Sequence, residues 1–248
     1  MIGAKQIVRS MLVFVLLSLV LAACGSSSAT PTTSLPIDTE IPTQRPAYTG
    51  PLLSFPEVNC CRGKSLEAGR YELPTWFGIP LTVEVGEGWK VLNEEAALLF
   101  EIGRGENIQK NPSQMIVFLN VTGRGSPETL ISSVKNAPEL TTTAESVSVT
   151  IAGFSGLQLD STAKPNPGYA GDPAADIPPE VQFLPVFMKY FTPGFLWTTS
   201  SPEARVRTIA LTIDNQTLLL YLEAPQEEFE AFTVDAEQIL QSLELVGN

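Results

Sequence analysis

The sequence predicts an α+β domain, preceded by a secretory signal peptide and a disordered tether. Three observations carry that expectation. From residue 70 onward, short apolar runs with strand-like alternation recur between glycine-containing turns. Two segments, opening at Ser126 and near Gln226, carry helix signatures. The first 50 residues contain neither pattern: one apolar run is followed by a stretch rich in Ser, Thr and Pro.

The leader comes first. Lys5 and Arg9, with no acid among the first ten residues, precede an apolar run from Met11 to Ala23. That run falls short of the roughly 20 residues needed to cross a bilayer. A charged start, a short apolar core and a small-residue end describe a secretory signal peptide. Leu21-Ala22-Ala23-Cys24 resembles a bacterial lipobox. In such a motif the cysteine thiolate takes a diacylglyceryl group and the residues before it are removed. Two or more acyl chains of the palmitate kind, at about 0.8 kcal/mol per buried methylene, then hold the chain firmly. The resemblance implies lipidation at Cys24 and a place on the outer face of the bacterial cell membrane. Few large apolar residues lie between Gly25 and Gly50, so this stretch is expected to be an extended spacer. The expected division is a signal peptide at 1–23, a lipidated cysteine with its tether at 24–66, and a single globular domain at 67–248.

Charge and composition narrow the function classes. The chain carries 15 basic and 27 acidic residues, a net charge of −12. No run of Lys or Arg offers a phosphate-binding face, so a nucleic-acid partner is not expected. There is no histidine. That excludes His-based triads, His general bases and His metal ligands.

Besides Cys24, the cysteines are the adjacent Cys60 and Cys61. Outside the cytoplasm thiols tend to oxidise. Consecutive alpha carbons sit about 3.8 Å apart, below the roughly 4.4–6.8 Å usual for a disulfide. A strained vicinal disulfide without a catalytic role is the favoured reading. A structural turn, an intermolecular link and two unpaired thiols remain open. A metal pair lacks further Cys or His ligands, and no metal or cofactor is expected.

The first extended segment falls near Arg70 to Leu73. Pro80 to Val85 alternates as a strand, Gly86-Glu87-Gly88 is a turn, and Trp89 opens the next strand. Apolar runs at Ala96–Ile102 and Met115–Val121 are closed by Gly103-Arg104-Gly105 and Gly123-Arg124-Gly125. These triplets lack the Lys and Ser/Thr of a phosphate loop and read as hairpin turns with φ > 0 glycines. Ser126-Pro127-Glu128 is a helix opening of cap, proline and acid, with Leu130, Ile131 and Val134 as the apolar face and an end near Asn136-Ala137-Pro138.

Strands are expected at Val147–Ile151 and Gly156–Leu159. Gly153-Phe154-Ser155-Gly156 is similar to a nucleophile elbow, but Leu157 stands where glycine is needed. Residues 163–180 read as a loop. Its Asp172, Asp176 and Glu180 are too sparse for a calcium loop, and a solvated loop is favoured. Strands at Arg205–Ile213 and Gln216–Glu223 meet at the hairpin signal Asp214-Asn215. A helix over Gln226–Leu243 carries Phe229, Phe232, Ile239, Leu240 and Leu243 on its apolar stripe.

Three strings resemble the Mog1/PsbP-like family of small domains. They are Pro80-Leu81-Thr82-Val83 followed by Gly88-Trp89, Val149 to Gly156, and Arg205–Ile213 with Ala236 to Leu243. The resemblance covers about residues 68–245. It implies an antiparallel sheet sandwiched by helices and brings no shared catalytic residues. The functional expectation is a non-enzymatic, membrane-anchored lipoprotein whose domain binds an unidentified protein or small molecule. The apolar-rich segment with Phe187, Tyr190, Phe191, Phe195 and Trp197 is the candidate groove. The alternative is a carboxylate-dependent extracytoplasmic hydrolase, with Glu94, Glu95, Asp160 and Asp214 as candidate acids.

Overall fold

The computed structural model describes residues 49–55, 63–95, 99–105, 114–138, 140–164, 170–172, 177–184, 197–199 and 203–247. Among them, the chain is mostly sheet with two helices, an α+β arrangement. The first strands are β1 (Leu52–Ser54), β2 (Lys64–Ser65), β3 (Gly69–Glu72), β4 (Leu81–Val85), β5 (Lys90–Glu95), β6 (Leu99–Arg104) and β7 (Gln114–Asn120). Helix α1 (Pro127–Lys135) follows, then β8 (Leu140–Thr142), β9 (Val147–Ile151) and β10 (Phe154–Ala163). Next come β11 (Ala170–Asp172), β12 (Ile177–Leu184) and β13 (Trp197–Thr199), then β14 (Arg205–Ile213) and β15 (Gln216–Ala224). Helix α2 (Phe229–Leu240) and β16 (Glu244–Leu245) close the chain.

A nine-stranded sheet in the order β2-β5-β6-β7-β15-β14-β10-β8, with β9 also on β10, forms the centre. Its neighbours are all antiparallel. A four-stranded sheet, β1-β3-β4-β16, and a three-stranded one, β11-β12-β13, complete the pairing. In the four-stranded sheet β1 runs parallel to β3.

The middle strands of the large sheet are apolar on both faces. Met115 to Leu119 of β7 and Leu218 to Leu222 of β15 are buried without a break. Such runs belong to strands covered on both sides. Alternate residues enter two clusters. Ile116, Phe118, Ile209, Leu211, Leu218 and Leu220 pack with Phe229, Phe232, Ile239 and Leu240 of α2 and with Tyr71, Leu81 and Val83 of the small sheet. Val117, Leu119, Val206, Ala210, Leu219 and Tyr221 pack with Leu130, Ile131 and Val134 of α1. The two helices therefore lie on opposite faces, as expected of a sandwiched sheet.

Local chemistry explains the elements. Ser126 caps α1 by accepting the Thr129 N–H at 3.4 Å, with Pro127 in the first turn and Asn136 at the C-cap. The β14–β15 hairpin turns at Asp214, whose φ of 53° is tolerated by a short polar side chain. Helix α2 is shorter than expected at both ends. It ends where the Ser242 hydroxyl donates to the Ile239 carbonyl at 2.6 Å and accepts the Glu84 N–H of β4 at 2.7 Å.

Four expectations change. The stretch read as tether contains β1, and Phe55 just after it is buried, 4.6 Å from the Tyr71 ring and 4.2 Å from Phe100. Leu66 is buried too, so the folded domain begins before residue 67.

Gly103 is no turn residue. It lies inside β6, and a Cβ there would stand 2.5 Å from Leu92 Cδ1. Leu92 is the extra residue of a bulge in β5, so close packing requires this glycine. The second triplet is likewise no hairpin; it leads from β7 into α1.

The strand expected at Gly156 starts at Phe154, after a turn at Ala152 (φ 52°) and Gly153. Ser155 stands exposed opposite Thr150 on that hairpin, not on the strand-to-helix turn of a nucleophile elbow.

Finally, residues 170–172 and 177–180 of the expected loop lie in paired strands, the second running on to Leu184. Pro178 and Pro179 masked this in the sequence. They fall where the β11–β12 register is irregular, so the missing N–H groups break no regular ladder.

Phe55→Ala is expected to lower stability by about 3 kcal/mol, the low end for a buried Phe near a sheet margin. Denaturant unfolding checks this; unchanged stability would return residues 52–55 to the tether.

Candidate functional site

Two polar groupings stand out on the large sheet, one on each face. On the face under α2, three arginines flank the helix. Arg104 of β6 reaches Asp235 at 2.7 Å and lies over the Trp89 ring, 5.0 Å from its centroid. On the other flank, Arg205 of β14 reaches Glu230 at 3.3 Å and Arg207 reaches Glu237 at 3.0 Å. Both guanidinium groups also lie over Phe229, at 4.7 and 5.7 Å. Three strand steps separate β6 from β14, about 14 Å at ~4.8 Å per step. Helix α2 thus sits between two basic rails, with Gln114 of β7 adding a 2.7 Å bond to Glu228.

Arg207 holds Asp160 of β10 in a bidentate pair, Nε to Oδ1 at 2.8 Å and Nη2 to Oδ2 at 3.0 Å. The pairing follows from register, because Asp160 and Arg207 are direct cross-strand partners. Burial opposes the Arg207 charge, but Asp160, then Glu237 and Glu230, outweigh it and raise its pKa. Both Asp160 carboxylate oxygens are thus engaged by Arg207. The other candidate acid, Asp214, is exposed at the hairpin turn. It lies seven residues along β14 from the position opposite Asp160, about 23 Å at ~3.3 Å per residue. Paired glycosidase carboxylates need roughly 5–10 Å, so these two do not form one. Glu94 and Glu95 lie on β5, and their side chains are outside the described residues.

On the opposite face, a polar row interrupts the apolar cluster. The Tyr221 hydroxyl donates to Glu223 Oε2 at 2.7 Å, and both residues are buried. Thr208 lies directly opposite Tyr221, and Val206 lies between Ser161 and Glu223 in the ladder. Among the described residues, the buried hydroxyls of Thr208 and Ser161 have no hydrogen-bond partner. A buried polar group left unpaired costs about 1–3 kcal/mol, which marks this row as the candidate functional site among the described residues. Burial, then Glu223 and Glu101, push the Tyr221 phenol well above its ordinary value of 10.0. It stays a neutral hydrogen-bond donor at neutral pH. The row brings a phenol donor, two hydroxyls and a carboxylate together on one buried face of the sheet.

Sequence reading missed this row. The signal was present: Tyr221 and Glu223 break an apolar strand at alternate positions and so share a face. Of the residues singled out from sequence, Cys24, Cys60, Cys61, Phe187, Tyr190, Phe191 and Phe195 lie outside the described residues. Trp197 is placed by its backbone alone, in β13 opposite Leu184. Among the described residues, no group of three or more Cys, Asp or Glu is arranged to hold a metal ion. No described helix is long and apolar enough to cross a membrane.

No protein-family model matches the sequence, and no curated protein matches it. Several solved structures are similar in shape. LpqN of Mycobacterium tuberculosis, described as involved in cell envelope biogenesis, is 17% identical over 66% of this chain and 82% of its own, with a TM-score of 0.36. A cyanobacterial PsbP from Synechocystis is 7% identical over 76% and 98%, with a TM-score of 0.39. A Mog1 variant is 11% identical over 73% and 97%, with a TM-score of 0.37. Both families named by the sequence resemblance are thus among the similar structures. Scores of this size do not place the chain in a family; its architecture rests on its own strand pairing.

Tyr221 also sets a pH dependence. A phenol with its pKa raised by folding contributes stability below its unfolded value near 10 and loses it as pH rises through the folded value. The melting temperature of the native chain should therefore fall more steeply above pH 10 than that of Tyr221→Phe. Parallel melting curves for the two chains would contradict the assignment.

Proposed function

We propose that this chain is an extracytoplasmic lipoprotein, held to a bacterial membrane through Cys24, whose domain binds a partner or small ligand without catalysis. The observation that carries the reading is Leu21-Ala22-Ala23-Cys24 at the end of a short apolar leader. The chain's acidic excess, a net charge of −12, is repelled by anionic headgroups, so a covalent anchor is the means of keeping it at a membrane. The non-enzymatic part draws on the chain's chemistry. There is no histidine, Asp160 is paired with Arg207, and Asp214 is exposed on a turn about 23 Å along the strand from that pair at ~3.3 Å per residue. The binding surface includes the apolar-rich segment ending at Trp197.

Membrane fractionation of cells expressing Cys24→Ala, with metabolic labelling by a palmitate analogue, tests the anchor. The native chain should take the label and sediment with membranes, while the variant should lose both properties. A variant that still sediments with membranes and is processed as before would overturn the proposal.

A further inference from the structure

Sheet edges distinguish β9 from the other margins. At the far side of the large sheet, β2 spans Lys64–Ser65 only and carries a charge. The margins of the small sheets, β1, β16, β11 and β13, are two or three residues long. Short or charged edges are how proteins avoid pairing with one another. Strand β9 has neither protection. It runs five residues, Val147-Ser148-Val149-Thr150-Ile151, with no charge, no proline and a regular register against β10. Val147 is 52% exposed, and Ser148 and Thr150 are exposed as well.

The hairpin geometry fixes which backbone groups face outward. A two-residue loop closes on a hydrogen-bonded pair, here Ile151 with Phe154. Bonded and non-bonded pairs then alternate, so Val149 and Val147 bond to β10 while Ser148 and Thr150 turn their N–H and C=O groups outward.

We propose that β9 is a homodimer edge, pairing antiparallel with β9 of a second copy about a two-fold axis at Val149. The sequence is self-complementary in that register. Val149 meets its own copy, Val147 meets Ile151, and Ser148 meets Thr150 in both directions. The outward groups of Ser148 and Thr150 then make about four intermolecular hydrogen bonds, two for each bonded pair. Valine and isoleucine share one face, continuing the core cluster to which Ile151 and Val149 belong. The hydroxyls share the other face, a favourable cross-strand combination. Charge sets where a second copy can close. Two chains that each carry −12 repel, and an uncharged margin is where they can close. A symmetric, isologous contact of this kind closes at two copies. Its area is small beside the ~1,000 Å² of a stable interface, so association is weak and concentration-dependent.

Sedimentation equilibrium of the full chain in mild detergent, over a wide concentration range, tests the edge. The native chain should show a monomer–dimer equilibrium. Ser148→Glu with Thr150→Glu sets like charges opposite each other in both bonded pairs and should weaken the dimer about tenfold or more. Ser148→Lys with Thr150→Lys should do the same, and mixing the two variants should restore dimers. The substituted positions are exposed, so unchanged thermal melting confirms that each variant folds. A native chain that stays monomeric overturns the proposal and leaves the edge to a strand from a different protein. A dimer indifferent to both double variants, or no recovery on mixing, also overturns it.

Discussion

The central strands β7, β15 and β14 carry apolar side chains on both faces, and every other part of the domain answers to that. A strand buried on one face alternates polar and apolar residues; β7 and β15 do not. Leaving either face in water would expose Phe118 and Leu220 on one side or Val117 and Leu219 on the other. Each face therefore needs a cover. One has α2 and the small sheet of β1, β3, β4 and β16, and the other has α1.

The cover supplied by α2 raises an electrostatic difficulty. Glu228, Glu230, Asp235 and Glu237 make this segment acidic in a chain that is acidic already. Its apolar stripe alone would bring those carboxylates against one another and against the sheet. Arg104, Arg205 and Arg207 resolve this by standing at the margins of the stripe, where their guanidinium groups lie over Trp89 and Phe229 and meet the acids. The bidentate Asp160–Arg207 pair fixes the fork of one of these arginines. Its side chains are 13% and 20% exposed, so removal of one partner alone would leave a largely desolvated charge. Asp160 is thus part of what holds α2 to the sheet.

How much of this was legible in the sequence depended on range. Features set by neighbouring residues were readable: the Ser126 cap, the Asp214 hairpin, and the alternation of Ile209, Leu211 and Ile213. Features set by distant pairing were not. Phe55 sits in a stretch whose composition resembles a spacer, and only its stack on Tyr71 and Phe100 shows that it is core. Gly103 and the true glycine turns look identical in sequence, because close packing against Leu92 and a positive φ both demand a missing side chain. Asp160 looked like a free carboxylate until the β10–β14 register brought it opposite Arg207. The polar row is the same case. Ser161, Thr208, Tyr221 and Glu223 come from three strands, and only the ladder places them on one face.

Hydrogen exchange in the native state tests the central claim, that the sheet and both covers form one cooperative unit. Amides of β7, β15 and β14 should exchange only through global unfolding, and amides in the middle of α1 and α2 should exchange with the same free energy. Exchange of α2 at much lower free energy, with the sheet still protected, would contradict the account, because the face under α2 would then tolerate water.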